Sequence, residues 1–106
     1  MNKEQRDVVE SRLIMILKEM DVQAEVAESY SDDVLSFSDE MEQVREFIEV
    51  AGEYGLAFEL MVVALEAHPF ILSGRAAVAL LELGLIFGYK TDRIEDERFD
   101  LRHRAS

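Results

Sequence analysis

The chain has 106 residues, no cysteine and a formal net charge of -12, long enough to bury one core without covalent staples and free of disulfide or thiol chemistry. Its longest apolar run, Leu60 to Leu65, falls far short of the ~20 residues a membrane helix needs, and no basic start followed by an apolar leader opens the chain, so a soluble cytoplasmic protein is expected. Residues 25–59 hold Arg45 alone against eleven acids, an imbalance that argues against nucleic-acid phosphates as a partner and for a cationic one.

Val9, Leu13, Ile16, Leu17 and Met20 recur at spacings of three and four, which predicts a first amphipathic helix over residues 4–20. Residues 21–37 are a connector. Val22, Val26 and Tyr30, four apart, allow a short helix before the turn-forming Ser29, Ser31, Asp32 and Asp33, and Leu35 and Phe37 alternate with serines as a short extended piece would. Ser38 is the expected cap of a second helix, with Asp39 and Glu40 in its first turn. Met41, Val44, Phe47, Ile48 and Ala51 form its inward stripe, and Gly52 and Gly55 frame a tight joint into the third helix.

From Leu56 to Ala67 only Glu59 and Glu66 are charged. A helix so apolar is expected to be central and enclosed by its neighbours. His68-Pro69 ends it, Phe70-Ile71-Leu72 crosses to a fourth helix capped by Ser73, and that helix runs to about Phe87 with Gly88 as its stop. Its only charges, Arg75 and Glu82, share one edge, with Val78, Leu85 and Ile86 beside them needing cover from the first helix, the tail or a partner. Lys90 to Ser106 mixes both signs and is expected to dock loosely or fray. The expected architecture is an all-α, single-domain bundle of about four helices with an apolar third helix.

Glu42, Glu46, Glu49 and Glu53 recur at four, three and four residues, opposite the apolar stripe of the second helix and relieved only by Arg45. Like charges so spaced cost a helix a few tenths of a kcal/mol per pair. The competing reading is a solvated face on an acidic protein; with Glu25, Glu28, Asp32, Asp33, Asp39 and Glu40 added, the patch resembles an electrostatic docking surface more closely. Tyr30, Tyr54 and Tyr89 are the aromatic candidates to anchor a partner there. His68 and His103 lack a second histidine at ligand spacing, so no metal site or cofactor is expected, and no nucleophile elbow or phosphate loop occurs. Glu59 is expected to pair with a cation such as Arg75.

Phe47-Ile48-Glu49-Val50-Ala51-Gly52-Glu53-Tyr54-Gly55-Leu56-Ala57-Phe58-Glu59-Leu60 resembles the MafI group of small helical immunity proteins, with a weaker similarity at Leu80-Leu81-Glu82-Leu83-Gly84. The resemblance covers residues 47–89 at most. It implies a non-enzymatic protein that binds the C-terminal toxic domain of a secreted or contact-delivered bacterial effector, usually a nuclease acting on RNA or DNA, and blocks its active site or substrate path. It transfers no catalytic residue. A nuclease groove shaped for phosphates is cationic, so the carboxylate row is the expected contact. Two other classes remain open: an acidic adapter or regulatory homodimer, the latter through the flanks of the fourth helix, and a small carboxylate-dependent hydrolase.

Overall fold

A computed structural model describes residues 1–31 and 36–88, which form an all-α bundle without a strand among them. α1 spans Lys3–Asp21, a 3-10 turn spans Ala24–Ser29, α2 spans Phe37–Glu49, α3 spans Tyr54–Ala67 and α4 spans Gly74–Phe87. Asp32, Asp33, Leu35, Tyr89 and the tail from Lys90 onward lie outside the described residues.

The packing centre is α1. Its N-terminus is set by a reciprocal cap in which the Gln5 amide donates to Asn2 Oδ1 at 2.8 Å and the Asn2 amide donates to Gln5 Oε1 at 3.1 Å. Val9, Leu13, Ile16, Leu17 and Met20 are all buried, as their spacing predicts. Burying a side chain of that size contributes about 1.5–3 kcal/mol relative to leaving it in water. α1 packs broadly on each of α2, α3 and α4. The expected enclosure of the third helix is therefore corrected: α3 buries Ala57, Phe58, Met61, Val62 and Ala64 against α1 and α2, but Leu56, Glu59, Val63 and Glu66 remain exposed along its outer side. The reason is that α4 leans on α1 and reaches α3 chiefly where Phe58 and Phe87 stand 5.4 Å apart.

The connector departs from its four-residue spacing because a 3-10 turn repeats every three residues. Val26 is buried and Tyr30 half-buried, while Val22 points to solvent. The cap of α2 is Ser36 rather than Ser38. Ser36 has an extended backbone, its Oγ accepts from the Asp39 amide at 3.2 Å, and Phe37 becomes the first helical residue and buries its ring instead of ending an extended piece. Met41, Val44 and Ile48 follow Phe37 inward.

α2 stops at Glu49, and Gly52 reverses the chain with a φ of 63°. The amides of Ala51 and Glu53 reach back to the carbonyls of Glu46 and Phe47 at 3.0 and 2.8 Å. Gly52 thus fills the left-handed position the joint requires, whereas Gly55 is an ordinary helical residue of α3. Ala51, expected on the inward stripe, is exposed because the helix has already ended.

α3 ends before His68-Pro69, and the crossing that follows is held by Glu19 in the last turn of α1 and by Gln23 just beyond it. The Gln23 carboxamide accepts from the Ile71 amide at 2.9 Å and donates to the Ile71 carbonyl at 2.7 Å. Glu19 accepts from the Ser73 amide at 2.8 Å and from its hydroxyl at 2.6 Å, while Ser73 Oγ accepts from the Ala76 amide as the cap of α4. These two bonds on Glu19 hold its carboxyl below the usual carboxylate range, and nearby Arg75 adds to the effect. α4 buries Ala76, Ala79 and Leu83 and ends at Gly88, whose φ is 67°.

Candidate functional site

Asp39, Glu42, Glu46 and Glu49 project from the outer side of α2 and are exposed. At 3.6 residues per turn they fall within an arc of about 80° and span about 15 Å of helix. Phe37, Met41, Val44 and Ile48 occupy the opposite side, so core packing itself turns the carboxylates outward.

Glu53 departs from this ridge. It is the N-cap of α3, beyond the reversal at Gly52, so it shares the end of the ridge without continuing its helical register. Its side chain caps nothing, and it is exposed.

Arg45, expected to relieve Glu42 and Glu49, does pair with Glu42 but gives its other nitrogen to Asp21 of α1 rather than to Glu49. Its guanidinium meets Asp21 at 2.9 Å and Glu42 at 3.1 Å. Asp21 and Glu42 hold the Arg45 pKa further up, the Asp21 hydrogen bond most strongly. Glu46 and Glu49 consequently have no ion-pair partner among the described residues. Repulsion between them is screened only by solvent and salt, and a cation brought to this face relieves it.

Tyr30 and Tyr54 each give the hydroxyl to a carboxylate of the bundle. Tyr54 donates its hydroxyl to Glu10 Oε2 on α1 at 2.9 Å, and Tyr30 donates to Glu40 Oε1 at 2.7 Å. Burial and the Glu40 carboxylate push the Tyr30 phenol well above its ordinary range. Tyr30 also stacks on His68 with ring centroids 3.6 Å apart and planes 7° from parallel, and Ser29 Oγ lies 2.6 Å from His68 Nδ1. With Phe37 and Phe70 these rings close the bundle where the connector meets the α3-to-α4 crossing. The apolar groups actually available at the ridge are Val50, 83% exposed at its C-terminal end, and Leu56 on the first turn of α3 just past the joint. Reading α2 only as a periodic stripe missed Val50; the early stop that Gly52 imposes was the signal that would have freed it.

Glu59 makes no ion pair with Arg75; Arg75 stands near Glu19, and the bridge from α4 to α1 is Glu82 to Arg12 at 2.7 Å. Among the described residues, no group of three or more histidines and carboxylates is placed to hold a metal ion, and no helix is long and apolar enough to cross a membrane. No family model, curated protein or solved structure matches the chain.

Proposed function

We propose that this chain is an immunity protein that neutralises a cationic toxin domain, a nuclease by the chemistry of the surface it offers, by docking the outer side of α2 against it. The observation that carries this reading is the row Asp39, Glu42, Glu46 and Glu49, exposed along one side of α2, with Glu46 and Glu49 uncompensated by any described cation. A surface that pays repulsion in the free protein gains on meeting positive charge, and its field raises the rate of encounter. Phosphate-binding grooves are lined by lysine and arginine, so a carboxylate ridge fits the site that a nuclease keeps for its substrate backbone. The similarity of residues 47–60 to small immunity proteins points to the same class of partner.

Charge at a rim sets rate and orientation more than affinity, so apolar contact is also required. Val50 and Leu56 supply it at the end of the ridge, with Glu53 between them in sequence. Asp32 and Asp33 are flanking candidates from the sequence. The acting form is the bound complex, inside the cell that makes both proteins, and it involves no chemistry by this chain.

Co-expression with the C-terminal domain of the protein encoded immediately upstream is the direct test. Rescue of cells from that domain, together with a one-to-one complex of the two purified proteins, is the expected result. A toxic upstream domain that this chain neither rescues nor binds overturns the reading.

A further inference from the structure

The outer side of α4 carries four of the exposed large apolar side chains among the described residues. Val78, Leu81, Leu85 and Ile86 are 54, 66, 41 and 48% exposed. Gly74, Val78, Leu81 and Leu85 recur at spacings of four, three and four, so they line one side of the helix, while Ala76, Ala79 and Leu83 face α1. Three large apolar side chains in a row, with Ile86 at their edge, exceed the scattered exposure normal for a monomer's surface.

The charges beside this stripe decide what covers it. Arg75 and Glu82 both lie on its edge nearest α1. Arg75 is exposed and pairs with no described residue, and Glu82 gives only Oε2 to Arg12, leaving Oε1 to accept another donor. The side is therefore close to neutral in a chain of net charge -12, and it is where two such chains meet with least repulsion. α1 stands between it and the acidic ridge of α2.

We infer that the outer side of α4 is a self-association surface, on which a second copy of this chain docks antiparallel with Arg75 of each copy beside Glu82 of the other. A twofold axis near residues 79 and 80 sets Val78 against Leu81 and Gly74 against Leu85, so each bulky side chain meets a smaller or equal one. The same operation keeps both α1 edges on one side of the interface. Arg75 of one copy then comes level with Gly84 of the other, about 3 Å along the axis from Glu82 and within the reach of an arginine side chain, twice, at the rim. The opposite stacking order would part these charges. In the dimer both α2 ridges face outward, so self-association and the proposed toxin contact use separate surfaces, and either can fail without the other.

Sedimentation equilibrium of the full chain tests this. At about 100 µM, a concentration suited to a small interface, the expected mass is twice the 12.1 kDa of one chain. Leu81→Glu should return it to a monomer with unchanged far-UV circular dichroism, and Arg75→Glu should weaken the dimer about tenfold by turning two attractions into repulsions. The chain has no cysteine, so Val78→Cys should yield a disulfide-linked dimer on mild oxidation, whereas Gln43→Cys on the exposed side of α2 should not. A full chain that remains monomeric, with the α4 side covered by residues 89–106 or by a different protein, overturns the inference. So does a dimer that Leu81→Glu leaves intact.

Discussion

Tyr54 donates its hydroxyl to Glu10 across the gap between α3 and α1, at 2.9 Å. The bond fixes the first turn of α3 against the packing centre of the bundle, immediately after the reversal at Gly52. It therefore sets the angle at which the joint presents Val50, Glu53 and Leu56. Tyr54 acts on the candidate surface from behind it.

Tyr54→Phe keeps the ring and removes the bond. A partly exposed hydrogen bond to a charged acceptor contributes about 1 kcal/mol net, and urea unfolding should show a loss of that size with little change in slope. Association with a cationic partner should change less than twofold. A large loss of binding with unchanged stability would return Tyr54 to the interface itself.

The two glycines framing that turn should respond in opposite directions to alanine. Gly52 holds a φ of 63° with open space around it, so Gly52→Ala meets no neighbour but must adopt a left-handed backbone, at a cost of about 1 kcal/mol. Gly55 is helical and equally unobstructed, so Gly55→Ala should stabilise by about 0.5–1 kcal/mol through helix propensity. Melting temperatures of the two variants should bracket that of the parent chain. Equal shifts in one direction would contradict the geometry of the joint.

Much of this was legible in the sequence and some was not, for reasons that separate cleanly. The buried set of α1, the stops at His68-Pro69 and Gly88 and the Ser73 cap follow from local chemistry, and all appear as expected. What failed depended on how helices lean on one another. Apolar content made α3 look central, yet five residues of α1 sit where three helices converge and α3 keeps an exposed edge. Pairing partners were equally hidden: nothing in the local spacing of Arg45 shows that Asp21, 24 positions away, takes its guanidinium from Glu49. The clamp of Gln23 on Ile71 spans 48 positions and carries no motif at all.

Stability should fall at both ends of the pH range for identifiable reasons. Glu19 is held below its ordinary value of 4.5 by the hydroxyl and amide of Ser73. Its contribution is complete above that value and disappears as pH falls through the lower folded-state pKa. The Tyr30 phenol is raised above 10.0 by burial and by Glu40, and that of Tyr54 by its bond to Glu10. Their contributions are complete below 10.0 and decline as pH climbs toward the raised values. Glu19→Gln should flatten the acid limb of a plot of unfolding free energy against pH, and Tyr30→Phe the alkaline limb. Limbs of unchanged slope in both variants would assign the pH dependence to other groups.

The ridge of α2 offers the sharpest test of how a partner is met. Glu42 is a poor position to reverse, since a lysine there would face Arg45 at a site now closed by a 3.1 Å bond. Glu46 and Glu49 carry no such obligation to the fold: both are exposed and unpaired among the described residues. Glu46→Lys/Glu49→Lys should leave the unfolding free energy from urea titration within about 0.5 kcal/mol of the parent, since surface changes away from caps and cores rarely exceed that. Against a cationic toxin domain at low salt, the same variant should slow association by about tenfold or more, with the deficit shrinking as salt screens the field. Dissociation should change less, because rim charges act mainly on encounter. Val50→Asp completes the pair of measurements: loss of an apolar contact should raise the dissociation rate while leaving association nearly as fast. An association rate indifferent to the double reversal at every salt concentration would place the partner on another side of the bundle.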